Sequence, residues 1–289
     1  MDLNPKMTRR AFLAKGKFLI GALLAAPFVS YGYARFAEPH WIRTKHVRLE
    51  LERLPQAFDG VRVVQFSDVH VGPYLAPGDL PQLVDMINAL KPDLLCFTGD
   101  LYDYRVYDGS LVSQALAALK APLGKFAVLG NHDYYGSPVE TEKVLKPGGF
   151  ELLTNRSVAV GKDKSLIRVA GVDDMWEGRP DLDRALKGVR RDDFVLLLSH
   201  APDFADIALE APVDMQLSGH SHGGQVRLPF YGAITTPMYG RKYVDGLYKL
   251  GGGKLHVYTN RGIGMTMHPV RFWCRPELTV FTLKKRLTP

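Results

Sequence analysis

Gly219-His220-Ser221-His222-Gly223-Gly224-Gln225 is the stretch that decides the fold. It follows the apolar run Met215-Gln216-Leu217, so we expect it to lie at the end of a strand. Successive side chains of a strand point to opposite faces, so two histidines separated by one residue meet only where the backbone bends. Glycine tolerates backbone angles that other residues avoid, and the flanking glycines are expected to permit that bend. By itself the stretch fits a metal site and a turn with one solvated histidine equally well.

Composition excludes several classes of protein. A chain of 289 residues with 46% hydrophobic content can bury a large core, as an α/β or two-sheet enzyme does. The sequence contains no low-complexity segment and no fixed-period repeat. Residues 1–40 carry +4 of the net charge of +7, which leaves an ordinary balance for the rest of the chain. A basic body that binds nucleic acid is therefore not predicted.

The basic N-terminus indicates export. Thr8-Arg9-Arg10-Ala11-Phe12-Leu13-Ala14-Lys15 resembles a twin-arginine signal, and an apolar run of twelve residues follows from Phe18 to Val29. A run of that length is typical of a signal peptide and short for a spanning helix. The nearest cleavage triplet, Ser30-Tyr31-Gly32, is poor, which leaves retention as a membrane anchor open. We expect residues 1–37 to be a signal or anchor read by the twin-arginine machinery, and residues 38–289 to form one domain at the cell envelope, in the periplasm or on the outer face of the cytoplasmic membrane.

Beyond a polar connector at residues 38–44, apolar runs alternate with stretches of helical spacing. Helices are predicted at 80–90 and at 111–119, the latter capped by Ser110, and a third begins at the capping box Ser137-Pro138-Val139-Glu140. Strands are predicted at residues 61–66, 94–98, 126–129, 158–160, 166–172, 194–198, 215–217, 226–230, 255–259 and 278–283. Strands dominate the C-terminal half, and no linker divides the chain. This order favours two sheets packed face to face with helices outside.

Five of the predicted strands end in residues that bind metal ions: Asp68, His70, Asp100, Asn131, His132, His200, His220 and His222. In α/β sheets ligands gather at the carboxyl ends of strands, so these side chains are expected to converge. Oxygen and imidazole donors without thiolates suit Mn, Fe, Co or Zn better than Ca. Individually, each is also explained as a turn former or a core histidine. Together they are too many for one ion and fit two ions that share a carboxylate.

The motifs Asp-x-His, Gly-Asp, Gly-Asn-His-Asp, Ser-His and Gly-His-Ser-His, in this order between residues 61 and 225, resemble those of the calcineurin-like metallophosphoesterases. The resemblance implies a four-layer αββα sandwich of two mixed sheets flanked by helices. It implies one metal held by Asp68, His70 and His222, a second held by Asn131, His200 and His220, and Asp100 bridging the two. His132 would be a catalytic residue outside the ligand set. Asp103 matches the carboxylate that pairs with it, unless Asp103 is a solvated loop residue.

These residues predict a two-metal hydrolase of phosphoesters with Mn, Fe or Zn as cofactor. With the N-terminal signal, the resemblance favours the exported, cell-envelope branch of the family and a phosphodiesterase or pyrophosphatase acting on a membrane-associated substrate such as a lipid-linked phosphoester. A phosphomonoesterase or protein phosphatase with the same site is an alternative. A non-catalytic, metal-stabilised envelope protein is another, although such a protein has no need of His132 and Asp103.

Weaker signals follow the last histidine motif. Arg241, Lys242 or Arg261 would meet a substrate phosphate unless they are solvated surface residues. Two apolar regions, residues 228–231 with 237–239 and residues 265–267, would contact a lipid substrate unless they pack against the sandwich. Cys96 and Cys274 are expected to be buried thiols, because two cysteines form no disulfide framework.

Overall fold

The computed structural model describes residues 9–286. The α-helices are α1 (Arg9–Gly32), α2 (Leu80–Ala89), α3 (Gly109–Ala117), α4 (Asn131–Gly136), α5 (Pro138–Leu145), α6 (Leu182–Ala185) and α7 (Ala205–Ala208). The strands are β1 (Arg43–Leu51), β2 (Arg62–Phe66), β3 (Leu94–Thr98), β4 (Lys125–Val128), β5 (Glu151–Leu152), β6 (Arg156–Lys162), β7 (Ser165–Gly171), β8 (Val195–Leu198), β9 (Met215–Ser218), β10 (Arg227–Leu228), β11 (Gly232–Ala233), β12 (Gly246–Leu250), β13 (Leu255–Thr259) and β14 (Glu277–Lys285).

Two six-stranded mixed sheets form the body. The first has the order β1-β14-β2-β3-β4-β5, in which β2, β3, β4 and β5 are parallel and β14 runs antiparallel to β2. The second has the order β12-β13-β9-β8-β7-β6, in which β13, β9, β8 and β7 are parallel and the two edge strands are antiparallel. Each sheet therefore has a central block of parallel strands, and the ends of those strands carry the predicted motifs.

The sheets pack face to face around one apolar core. Val63, Cys96 and Val128 of the first sheet meet Val169, Leu196 and Leu217 of the second in a single buried cluster. Helices α2, α3 and α5 cover the outer face of the first sheet, and α6 and α7 cover that of the second. The predicted αββα sandwich is confirmed. Its interior depends on runs of apolar residues buried on both faces of the central strands.

The N-terminal helix is longer than the predicted apolar run. Helix α1 has 24 residues because the chain before Phe18 is made of good helix formers such as Ala14 and Lys15. Its apolar side chains are exposed, including Phe18 at 76% and Phe28 at 80%. The segment Phe12–His40 is long and apolar enough to span a membrane by length and composition. Thr8, which begins the signal motif, lies outside the described residues.

Some predicted elements were wrong in detail. Residues 43 and 44 belong to β1 rather than to a connector, and β1 pairs with β14 along its whole length. Helix α3 is capped by Asp108, whose carboxylate accepts a hydrogen bond from the Leu111 amide, and not by Ser110. The strand predicted at 226–230 is only β10, because the chain turns at Pro229 to form a hairpin with β11. The cap at Ser137 is confirmed by its bond from the Glu140 amide.

Candidate metal centre

The predicted ligand residues meet at one edge of the sandwich. Asp68 and His70 follow β2, Asp100 follows β3, and Asn131 begins α4 just after β4. From the second sheet, His200 follows β8, while His220 and His222 follow β9. All seven are buried. The two sheets present the carboxyl ends of their parallel strands to the same place, which brings together residues up to 154 positions apart in the sequence.

One group contains Asp68, His70 and His222, whose donor atoms lie within 4.8 Å of one another. The Nε2 atoms of His70 and His222 are 3.0 Å apart, and His222 Nε2 is 3.3 Å from Asp68 Oδ1. The Asp68 carboxylate also accepts a hydrogen bond of 2.9 Å from the His220 amide. That bond fixes the start of the Gly219–Gln225 stretch against β2.

A second group contains Asp100, His200 and His220. His200 Nε2 lies 3.1 Å from Asp100 Oδ2 and 3.1 Å from His220 Nδ1. Asn131 Oδ1 is buried without a hydrogen-bond partner. His70 Nε2 is 3.6 Å from the same Asp100 Oδ2, so that carboxylate lies between the two groups.

The donor set fits divalent cations. Ligand atoms about 2.1 Å from one ion lie about 3.0–3.4 Å apart at octahedral or tetrahedral angles, which matches most of these separations. His200 Nδ1 bonds the Thr98 carbonyl and His220 Nε2 bonds the Met238 carbonyl, so the opposite ring nitrogen of each is free to bind a metal. Within residues 9–286, neither Asp68 nor Asp100 forms an ion pair with lysine or arginine. A cation would supply the charge that these buried carboxylates lack.

The backbone at the site is strained. Asp68, His70, Asp100, His220 and His222 all have φ between 49° and 68°, the left-handed region that non-glycine residues rarely occupy. Of the flanking glycines expected to permit the bend, Gly223 and Gly224 do have φ of 59° and 87°, and His220 and His222 share the bend with them. Gly219 is needed for space instead, because a Cβ there would lie 1.9 Å from Ser67 Oγ and 2.2 Å from Asp68 Oδ2. Strain of this kind persists only where the surrounding structure imposes it, and it is concentrated at functional sites.

His132 and Asp103 lie beside the two groups. His132 Nδ1 contacts the Asp103 carbonyl oxygen and lies 3.4 Å from Asp103 Oδ1. The His132 amide donates a 2.9 Å hydrogen bond to Asp100 Oδ1, and Thr266 Oγ1 donates to Asp103 Oδ1 at 3.0 Å. Asp103 is buried, which argues against a solvated loop residue. With Nδ1 engaged, His132 is left with Nε2 for the cleft.

Electrostatics of the site follow from buried carboxylates among imidazoles. Burial opposes a charge on His132, but the carboxylates of Asp100 and Asp103 outweigh it and raise the pKa of His132 to about 9. Burial and the nearby His200 lower the pKa of His220 to about 3. Burial favours the neutral form of Asp100, but the nearby His200 and His132 outweigh this effect and hold the pKa of Asp100 well below its usual range. His132 is therefore protonated at neutral pH in the metal-free site, and a cation at Asp100 would compete with the proton on His200.

A cleft of about 400 Å³ opens above these residues. Tyr104, Tyr135 and Trp176 line it on the side of His132 and His220, and all three are partly exposed. Thr266 and Met267 also line it, together with residues 235–237 of the chain that leaves β11. Phe230 and Met238 do not line it, and Met265 is buried. Of the apolar regions predicted to contact a lipid, Pro237, Thr266 and Met267 line the cleft, whereas Phe230 and Met238 do not.

The basic residues proposed to bind phosphate are engaged elsewhere. Lys242 pairs with Asp206 at 2.6 Å, and Arg261 pairs with Asp245 at 2.5 Å. Arg241 does not line the cleft. We therefore assign none of the three to phosphate binding. Cys96 and Cys274 are free and buried, as expected.

Two residues that support the site were missed from the sequence. Asp133, which ends the Gly-Asn-His-Asp motif but was not predicted as a site residue, accepts hydrogen bonds of 2.9 Å from the amides of Asp100, Leu101 and Gly130. Arg271 is fully buried; its Nη2 donates to the Arg261 carbonyl at 2.9 Å and lies 3.4 Å from His222 Nδ1. Asp133 follows directly after Asn131 and His132, and this position is the signal that could have identified it as a site residue. Nothing around Arg271 in the sequence marks it.

Comparison with known proteins agrees with this geometry. Residues 61–224, more than half of the chain, match the model of the calcineurin-like phosphoesterase family. The chain belongs to that family. Metallophosphoesterase YkuE of Bacillus subtilis is 44% identical, over 96% of this chain and 98% of its own. Phosphodiesterase YaeI of Escherichia coli is 30% identical over 96% and 99%, and UDP-2,3-diacylglucosamine pyrophosphatase LpxG of Chlamydia muridarum is 28% identical over 90% and 94%.

The protein is therefore a metal-dependent phosphoester hydrolase with the mixed α/β fold of its family. The match spans the strands β2 to β9 and their motifs, from before Asp68 to beyond His222. The αββα sandwich and the enzyme class predicted from the sequence are both confirmed.

Proposed function

We propose that this protein is a two-metal phosphodiesterase or pyrophosphatase of the cell envelope, with a lipid-linked phosphoester as its substrate. The observation that carries the proposal is Asp100, a buried carboxylate between two groups of donor atoms and bonded to the amide of His132. In this assignment Asp68, His70 and His222 hold one ion. Asn131, His200 and His220 hold the other, and Asp100 is shared.

Two bound divalent ions would supply an activated water and would neutralise the phosphoryl oxygens. The chain's own residues do the rest. His132 stands beside this position with Nδ1 fixed by Asp103, so its Nε2–H is available to donate a proton to the leaving oxygen or a hydrogen bond to the phosphoryl group. Asp103 is in turn held by Thr266. This arrangement gives Asp103 the task of orienting His132 and raising its pKa.

A substrate with two substituents on phosphorus is favoured by the cleft. Aromatic side chains and Met267 line the cleft beside His132, so a second, apolar substituent on phosphorus would find apolar contacts there. Two relatives are named as a phosphodiesterase and as a pyrophosphatase of a diacylated nucleotide sugar. The exposed apolar α1, which carries Arg9-Arg10 at its start, supports twin-arginine export and attachment to the membrane.

The test is a substrate panel with the purified full chain, first stripped of metal and then given Mn²⁺. Bis(p-nitrophenyl) phosphate, p-nitrophenyl phosphate and UDP-diacylglucosamine in detergent micelles would be compared by kcat/KM. We expect no turnover without metal, faster turnover of the diester than of the monoester, and the highest kcat/KM on the lipid substrate. A preference for the monoester would overturn the diesterase assignment. Equal kcat/KM for the soluble diester and the lipid would overturn the lipid assignment alone.

A further inference from the structure

The hairpin of residues 227–234, here called the rim hairpin, presents apolar side chains to solvent. Phe230 at its tip is 111% exposed and Tyr231 is 72% exposed. Leu228 and Ile234 are about half exposed. None of these four lines the cleft, so contact with a substrate held at the metal centre does not account for them. Phe230 contributes nothing to the core either, since a fully exposed apolar group gains no burial on folding.

The backbone at the tip strengthens this point. Phe230 has a φ of 65°, in the left-handed region that turns usually fill with glycine or asparagine. A bulky aromatic residue is unfavourable at such a position. Folding of the turn would be served better by glycine, so local folding does not account for the phenyl ring.

The base of the hairpin is held firmly at the edge of the cleft. The Arg227 amide donates to the Phe272 carbonyl at 2.9 Å, and the Arg227 guanidinium pairs with Asp245 at 3.0 Å. On either side of the hairpin, Gln225 and Thr235 line the cleft. The apolar tip is therefore displayed from the rim of the active site at a fixed position.

Helix α1 ends on the same structural support. The Arg271 amide donates to the Ala34 carbonyl at 2.9 Å, and the Tyr33 ring packs edge-on against the Phe272 ring at 6.4 Å. The Glu38 carboxylate accepts a hydrogen bond of 3.0 Å from the Trp273 amide. Phe272 thus contacts the end of α1 on one side and the base of the rim hairpin on the other. The two exposed apolar elements are neighbours.

Aromatic residues surround this junction. Trp41, Trp273 and Phe36 are all more than half exposed, and the Arg275 guanidinium lies 3.9 Å above the Trp41 ring. Exposed tryptophan with arginine beside the end of an apolar helix is the pattern found where a chain meets the headgroup region of a bilayer. Met267, 74% exposed, lines the cleft.

We propose that the rim hairpin inserts its tip into the bilayer to which α1 attaches, so that the cleft opens at the membrane surface. This rests on the membrane attachment proposed above and adds a second, independent point of contact. One point of attachment leaves a domain free to tilt about it, whereas two points fix its orientation. A lipid-linked phosphate then enters the cleft without leaving the membrane, and the lipid bilayer is the partner that the apolar surface requires.

The test is the environment of residue 230 in the full chain, reconstituted in nanodiscs of phosphatidylcholine and phosphatidylglycerol. Phe230→Cys carries an environment-sensitive fluorophore, and both native cysteines are buried, so labelling is confined to the new thiol. Leu166→Cys is the matched control, because Leu166 is an exposed apolar residue on β7, in a sheet that the hairpin does not join. Spin-labelled lipids should quench most of the fluorescence at position 230 and little at position 166. Equal, weak quenching at both positions would overturn the proposal.

Activity separates this proposal from the proposed function. The double variant Phe230→Asp and Tyr231→Asp should turn over soluble bis(p-nitrophenyl) phosphate at the wild-type rate and a lipid phosphoester in nanodiscs several-fold more slowly. An unchanged rate on the lipid phosphoester would contradict membrane insertion. Absence of turnover on every substrate in the wild-type enzyme would overturn the proposed function, whereas lipid quenching at position 230 would still support insertion.

Discussion

Two neighbouring regions of this molecule depart from the usual pattern of burial in opposite directions. The metal centre buries carboxylates, with Asp68 at 0% and Asp100 at 1% exposure, whereas the rim hairpin exposes Phe230 completely. Burial alone disfavours both arrangements. A buried charge without a full countercharge is unfavourable, and burying one exposed phenylalanine side chain would contribute about 1.5–3 kcal/mol that is forgone. Each region would become favourable with an outside partner, which we propose to be a pair of cations for one and a bilayer for the other.

The two regions also differ in how firmly the fold holds them. The centre is built from strand ends on the rigid sandwich, and its ligands are over-determined by short contacts such as that between the Asp68 carboxylate and the His220 amide. The rim hairpin is a two-stranded ribbon fixed only at its base. Substitutions at the metal centre should therefore abolish catalysis. Substitutions in the rim hairpin or α1 should instead alter the location of the enzyme or its preference among substrates.

Asp100→Asn should have the largest effect on turnover. One carboxylate serves both donor groups, so its neutralisation should remove bound metal and lower kcat by about 10⁴-fold or more. Metal content by mass spectrometry and kcat on bis(p-nitrophenyl) phosphate are the measurements. Asp163→Asn, at the turn between β6 and β7, makes the same chemical change outside the site and should leave both at wild-type values. Full metal content with normal kcat in Asp100→Asn would refute the bridging role.

His132→Ala should sharpen the distinction between binding metal and using it. Loss of a general acid lowers kcat by about 10²–10³-fold, while the seven assigned ligands remain in place. Metal content should therefore stay close to that of the wild type. Asp103→Asn, which weakens the 3.4 Å contacts of this carboxylate with His132 Nδ1 and with His70 Nδ1, should lower kcat by about tenfold. If His132→Ala instead loses metal, His132 is a ligand and its assigned role is wrong.

Gly130→Ala tests the packing of the centre with a single methyl group. A Cβ at residue 130 would lie 2.2 Å from Asp100 Oδ1 and 2.7 Å from His200 Nε2, so both side chains must move. A displacement of about 1 Å at a catalytic group costs about 10²-fold in rate. At Gly161 in β6 a Cβ would meet nothing within 4 Å, so Gly161→Ala is the matched control. Equal kcat in the two variants would show that the centre is less tightly packed than described.

Replacing Arg9 and Arg10 by lysine should leave turnover unchanged and alter location alone. The pair lies at the start of α1, far along the chain from the centre, so the purified variant should match wild-type kcat. Cell fractionation should find the variant in the cytoplasm. Arg43→Lys, the same substitution on β1, should still be exported. Export of the double variant to the envelope would show that the twin-arginine signal was misread.

Most of the centre was predictable because its residues carry their chemistry in their identity. Aspartate, asparagine and histidine after an apolar run mark the end of a strand, and the topology of parallel sheets brings such ends together. Asp133 and Arg271 were missed for a different reason. Their roles depend on complete burial against partners elsewhere in the chain, and sequence alone does not show which charged residue is buried.

The periphery was less predictable for physical reasons too. Strand β1 lies at the edge of its sheet and its first four residues, 43–46, are polar, so only its second half, from Val47 to Leu51, carries the apolar alternation that indicates a strand. The stretch Val226-Arg227-Leu228-Pro229-Phe230 does alternate, yet Pro229 begins a turn and the apolar residues face solvent. Alternation predicts a buried face only where something covers it, and here nothing within the described chain does.

Metal stoichiometry tests the central claim most directly. The purified full chain would be stripped with a chelator and titrated with Mn²⁺, while bound metal and kcat on bis(p-nitrophenyl) phosphate are followed together. The account predicts two ions bound per chain, with kcat negligible at one equivalent and complete at two, because Asp100 belongs to both donor groups. Saturation at one ion per chain with full kcat, or full kcat in the metal-free protein, would contradict it.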